Sequence, residues 1–378
     1  MRRWLFAVIL LAGALALAAC AGEEKATPAP TSAAQATPAA WEQEWDQVLA
    51  AAKREGKVAV AGPTGTDERR ALTEPFQQKY GISVEYFGFA GPEFPTRLRS
   101  EREAGQYLWD VIMTGTTTFI TSLKPMQVLD PVESTLILPE VKELKNWREG
   151  RFWYGDKDRL TIAFTPQTRP SLFINTNMAK ADEFKSYRDL LDPKWKGKIL
   201  VGRDPRVAGP GQATFTLFYR HPNLGPDFIR ALVRQDLALL RDDREAAEWL
   251  AQGKYPILLG VADRFAIDLR NQGLPVLVVD PRQMKEGGDV SPANGVVGLA
   301  NRAAHPNAAK VYINWLLSKE GQTAFSKATN RPSWRVDVPT DHLDPWVIAR
   351  PDYVSSADEE AMAVKDPLGA LLQELLGR

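Results

Sequence analysis

Two short turns early in the chain set hydroxyls beside a glycine: Thr64-Gly65-Thr66 and Thr114-Gly115-Thr116-Thr117. Each follows an apolar run that reads as a strand and precedes a helix-like stretch. Open α/β sheets bind ligands beyond the C-terminal ends of their strands, so both turns offer donors and acceptors to a small solute. The same hydroxyls would equally cap the helices that follow. A second group is cationic and rich in glycine. Arg203-Asp204-Pro205-Arg206 leads through Gly209-Pro210-Gly211 into Gln212-Ala213-Thr214, where a helix pattern begins. Glycine permits close backbone approach, and amides exposed at a helix start attract anions. Gln212 and Thr214 add neutral hydrogen-bonding groups, although the run also reads as a plain Gly-Pro turn. Asp263-Arg264 and Ser333-Trp334-Arg335 complete the set. The planar arginine fork suits carboxylate, phosphate, phosphonate or sulfonate groups. Arg264 also fits a solvated helix arginine paired with Asp263 or Asp268, and Trp334 fits an ordinary packed core.

Catalytic chemistry finds little support in this inventory. There is no Gly-x-Ser-x-Gly elbow, no His-Glu-x-x-His motif and no Walker loop. Only three histidines occur, His221, His305 and His342, and the first two precede proline. Those two read as loop or cap residues, and no metal or cofactor is expected. The expectation is a binding protein and not an enzyme.

The elements that must position these groups alternate between strand and helix. Residues 41–53 have helical apolar spacing, 57–61 read as a buried strand, 67–80 as a helix and 82–87 as a strand. The alternation continues with a helix over 94–104 and a strand over 109–113. Strands are expected at 161–165, 171–175, 199–201, 255–260, 274–279 and 295–299, with helices at 186–190, 245–251, 264–271 and 307–317. The fold class is α/β.

The first 40 residues address the chain. Arg2 and Arg3 precede an apolar run and the small residues Ala18 and Ala19, which is the layout of an export signal. Leu17-Ala18-Ala19-Cys20 resembles the bacterial lipobox. That resemblance implies cleavage after residue 19 and acylation of Cys20, the single cysteine. Residues 21–40 hold no bulky apolar side chain until Trp41, so they read as a stalk that gains nothing by burial. The 47 basic residues balance 47 acidic ones and form no long basic block. Nucleic acid is therefore not an expected partner.

Three further stretches carry a family resemblance. The first is Leu172-Phe173-Ile174-Asn175 followed by Asp192-Pro193-Lys194-Trp195-Lys196-Gly197-Lys198-Ile199. The second is Asp204-Pro205 before Gly209-Pro210-Gly211. The third is His305-Pro306-Asn307-Ala308-Ala309-Lys310 leading to Lys319-Glu320-Gly321-Gln322. From about residue 55 to 335 the chain resembles extracellular solute-binding proteins of ABC importers. The likeness is to the type II branch that contains ferric-iron-binding proteins.

The resemblance implies a two-lobed periplasmic-binding-protein-like fold with a hinge and a central ligand cleft. Lobe I would comprise 41–163 plus 290–335, and lobe II 164–289 with the tail 336–378 packed on or near it. Ligand would close the lobes by touching both, and the implied partners are an ABC permease and its ATPase. A monomer anchored by lipid on the extracytoplasmic side of a membrane is expected. Ferric-binding members place adjacent tyrosines before a second-lobe helix, whereas Asp263 and Arg264 occupy that place here. An arginine cannot ligate a metal, so the expected solute is a small anion held by Arg264. Arg203, Arg206 and the hydroxyl turns would assist, with Ser333 and Arg335 where the chain leaves lobe I. A ferric site with other ligands and a solute-sensing lipoprotein stand as alternatives.

Overall fold

Val58-Ala59-Val60-Ala61 form the centre of strand β1 (Lys57–Pro63), in which every residue after Lys57 is buried. Such a run suits a strand covered on both faces, as parallel sheets are. β1 pairs in parallel with β2 (Ser83–Phe89) and β3 (Val111–Thr114), each reached through a helical crossover. The short strands β4 (Leu129–Asp130) and β5 (Ile162–Ala163) lie across the far edge of this first sheet. The computed structural model describes residues 39–89, 93–292 and 295–377. The expected export signal, Cys20 and the expected stalk up to residue 38 lie outside the described residues.

After β5 the chain passes through β6 (Gln167–Arg169) into a second sheet. That sheet contains β7 (Leu172–Asn175), β8 (Ile199–Val201), β9 (Ala238–Leu239), β10 (Ile257–Leu259) and β11 (Val276–Val278), in the order β11-β7-β10-β8-β9. The period of two along a strand divides its side chains between two cores. Leu172, Ile174, Ile199, Val201, Ile257 and Leu259 face one core, while Phe173, Leu200 and Leu258 face the other. Gly197, at φ +71°, turns the chain just before β8, and Trp195 stacks on Phe184 with centroids 5.6 Å apart.

The return path is β12 (Asp289–Ser291) into β13 (Val296–Ala300), which runs antiparallel to β3, β4 and β5. β12 pairs antiparallel with β6, so the two connections between the sheets are hydrogen-bonded to one another. β14 (Val354–Ser355) joins β12 in parallel and completes a small third sheet. The helix Pro306–Leu317 buries Tyr312 and Trp315 against Phe76, at centroid distances of 5.0 and 5.4 Å. Fully burying a large apolar side chain contributes about 1.5–3 kcal/mol, which fixes this helix on the first sheet. The C-terminal helix Lys365–Leu376 places Leu368, Leu371 and Leu372 in the core that also holds Phe215 and Phe218.

Candidate functional site: a cleft beside the paired connections

A cavity of about 430 Å³ opens between the two sheets. One wall is Gly115–Thr118, at the C-terminal end of β3; the opposite wall runs from Gly209 to Thr214 at the start of the helix Pro210–Arg220. Gln167 and Arg169 of β6 and Asp289 and Ser291 of β12 line it from the connections. Val261, Ala262 and Asp263 contribute after β10, and Ser356, Ala357 and Lys365 come from the C-terminal segment.

The first wall presents Thr116, which is 1 % exposed and whose hydroxyl has no hydrogen-bond partner. It does not cap a helix, since the turn Thr116–Thr118 has no side-chain cap. A buried hydroxyl left unsatisfied costs about 1–3 kcal/mol, a cost the empty fold carries at Thr116. The second wall is built by close approach. A Cβ on Gly211 would stand 1.9 Å from the carbonyl oxygen of Arg203, so glycine alone fits. Gly209, at φ +149°, makes the turn into the helix. Pro210 lacks an N–H, and no side chain caps the amides of Gly211 and Gln212. Those groups have no intrahelical acceptor at a helix start.

Arg169 is the cation among the connections. β6 sets it opposite Asp289 in the ladder, on the same face. Among the described residues no carboxylate lies within ion-pairing distance of its guanidinium, yet its charge is felt at Asp263 and Asp289. Burial pushes both carboxyls above the ordinary aspartate range, against the pull of Arg169. Asp289 is engaged elsewhere: the Ser356 amide and hydroxyl donate to its two oxygens at 2.8 and 2.7 Å.

The residues singled out in the sequence divide sharply. Gly115, Thr116, Gln212, Thr214 and Asp263 line the cavity, and Gly211 shapes its wall. Arg264 is exposed, stacks its guanidinium 4.6 Å over Phe265 and does not line the cavity. Thr64, Gly65 and Thr66 are exposed and do not line it. Arg203 pairs with Asp243 at 3.1 Å. Arg206 grips Asp204 through two nitrogens and holds that carboxyl below the usual range. Arg335, 3 % exposed, ties Asp337 to the carbonyls of Glu140 and Leu317. Ser333 donates to Gln322 at 2.6 Å. Arg169, Asp289, Ser291, Ser356 and Lys365 went unnoticed in the sequence. The first four lie in short polar runs with no periodic signal, and Lys365 heads a helix at the far end of the chain.

The sequence profile of bacterial extracellular solute-binding proteins matches residues 71–353. The chain belongs to that family. Solute-binding proteins of this kind deliver ligands to an ABC permease and its ATPase. A stretch of this solute-binding protein is 26 % identical over 130 residues to iron uptake protein A1 of Synechocystis, covering 34 % of the chain and 33 % of that relative. The chain thus spans about a third of that relative's length. Ferric iron-binding protein A of Mannheimia haemolytica, in an open conformation, superposes with a TM-score of 0.67 at 16 % identity. The match covers 85 % of this chain and 98 % of that one. The periplasmic binding protein AfuA of Actinobacillus pleuropneumoniae, with fructose-6-phosphate bound, gives 0.56 at 18 % identity, over 85 % and 98 %. At these identities the likeness is one of fold, and the two-lobed type II architecture expected from the sequence is the architecture found. Among the described residues no helix is long and apolar enough to cross a membrane.

Proposed function

We propose that this solute-binding protein captures a small organic or inorganic anion in the cleft between its lobes and hands it to an importer. Arg169 is the observation that carries the reading: a half-buried cation lining the cavity, with no carboxylate within ion-pairing distance among the described residues. An uncompensated charge away from water is costly, and an anionic ligand removes that cost. The Thr116 hydroxyl and the uncapped amides of Gly211 and Gln212 supply neutral donors from the two sides. Such a ligand touches both lobes and favours their closure. The Cys20 lipobox belongs to the same proposal, because acylation keeps the captor beside its permease.

Calorimetric titration of the protein with a panel of small anions and with ferric citrate tests the reading. Anion binding that weakens by roughly 10- to 150-fold in Arg169→Ala is expected, the value of one charged hydrogen-bonding group. Saturable binding of ferric ion alone, unchanged in that variant, would sink it. The donor set argues against the metal: among the described residues the cavity lining contains Asp263 and Asp289 but neither tyrosine nor histidine. Asp289 is moreover already bonded to Ser356.

A further inference from the structure

Lys365 lines the same cavity, and it comes from a part of the chain beyond the stretch matched by the family profile, which ends at residue 353. It is the first residue of the helix Lys365–Leu376, whose Leu368, Leu371 and Leu372 are sunk in the second-lobe core. The segment leading to it is tied down three times. Ser356 donates to Asp289 of β12, Asp358 accepts from Arg220 at 2.9 Å, and Glu359 accepts from Lys124 at 2.6 Å. The last tie reaches the first lobe. Lys365 therefore stands where the fold puts it and is no wandering surface lysine.

Its ammonium is half-buried and, among the described residues, has neither a hydrogen bond nor an ion pair. Burial depresses its pKa with no carboxylate acting against it. Arg169 lines the same cavity and likewise has no ion pair among the described residues; the carboxyls that feel its charge, Asp263 and Asp289, are ones that burial makes reluctant to ionise. Two cations without partners, facing one cavity together with an unpartnered buried hydroxyl at Thr116, call for more than one negative charge.

We infer that the C-terminal segment completes the site and that Lys365, with Arg169, selects a doubly charged phosphoryl group, as in a phosphate monoester or phosphonate. The inference rests on the anion reading of the cleft. The volume of about 430 Å³ exceeds what a bare oxyanion fills and lies within the range of small-molecule pockets, so a small organic substituent accompanies the headgroup. Lys365 acts as a point charge and Arg169 as a directed fork, a combination that rewards charge as well as shape.

The test compares methyl phosphate with methyl sulfate, isosteric probes that differ by one charge at about pH 8, well above the second phosphoryl pKa of about 6. Calorimetry on the full chain is expected to show methyl phosphate bound about tenfold or more tightly than methyl sulfate, the effect of about 1.4 kcal/mol of extra charge pairing. Lys365→Met should weaken methyl phosphate more than methyl sulfate and so lower that ratio several-fold, while Lys365→Arg keeps the preference. Arg169→Ala should weaken both probes. Equal affinities in the parent protein, or a ratio unchanged in Lys365→Met, overturns the role of Lys365 and spares the anion reading. Binding of neither probe, or indifference of both to Arg169→Ala, overturns the two together. A thermal melt of Lys365→Met matching the parent shows that the comparison is made on folded protein.

Discussion

Gly211→Ala puts a single methyl group against backbone that cannot step aside. The new carbon would sit 1.9 Å from the Arg203 carbonyl oxygen, 2.9 Å from its carbon and 3.4 Å from the Pro205 nitrogen. Ordinary contact begins near 3.4 Å, so the helix start must withdraw by about 1.5 Å. Retreat is blocked on another side, where Gly260 packs so closely that a Cβ there would lie 2.7 Å from the Gly211 Cα. Overpacking of this kind costs about 1–3 kcal/mol, occasionally more. For a domain of this class that is about 2–4 °C in Tm for each kcal/mol. The displacement also pulls the Gly211 and Gln212 amides away from the cavity. Loss of one hydrogen bond to a charged ligand is worth about 1.5–3 kcal/mol, or roughly 10- to 150-fold in affinity. The assay is a thermal melt paired with anion titration, run beside Gly369→Ala. That glycine lies inside a helix with nothing within 4 Å of the place a Cβ would take, and alanine there should stabilise by about 0.5–1 kcal/mol. A Gly211→Ala protein that melts and binds like the parent would refute the reasoning about this wall.

Thr116→Val should move stability and binding in opposite directions. Removing an unsatisfied buried hydroxyl relieves about 1–3 kcal/mol in the empty protein, while the ligand loses a donor; a melt that falls together with affinity would show that the hydroxyl has a structural partner. Asp289 has a folded pKa above its ordinary 3.8, so the folded state holds its proton longer than the unfolded chain and stability declines as pH rises above that value. Asp289→Asn should flatten that decline in urea titrations across the acid range, and an unaltered slope would remove Asp289 as its source. Cys20→Ser should release the protein from the membrane fraction on cell lysis, whereas Cys20→Ser protein that still pellets would show another anchor.

The strand and helix framework was readable because it is periodic or punctuated. The strand expected over 57–61 is β1, and the helix expected over 307–317 is Pro306–Leu317. The connections were not readable. β6 and β12 have three residues each, Gln167–Arg169 and Asp289–Ser291, too few to show alternation, and they exist as strands because they pair with one another. The same limit explains the arginines. A helix start near Arg264 could be read, but not which way its side chain leaves the helix, and Asp263 rather than Arg264 turns to the cavity. Arg203, Arg206 and Arg335 have the right chemistry for an anion but are occupied by Asp243, Asp204 and Asp337. Partnering of that kind is a tertiary property. Lys365 enters from the far end of the chain, where no local pattern links it to Thr116 or Arg169.

The placement of Arg169 on a paired connecting strand has a kinetic consequence. If the paired strands β6 and β12 form the hinge of the proposed closure, a residue on them moves little as the lobes open or shut, and its charge stays presented to arriving solute. On the proposed reading, capture would begin at Arg169 before the Thr116 wall and the helix start converge, and the entry rate would follow ionic strength as steered encounters do. The converging walls govern escape. Substitutions at Arg169 and at Thr116 or Gly211 should accordingly separate into slower arrival and faster departure, even where they weaken affinity equally.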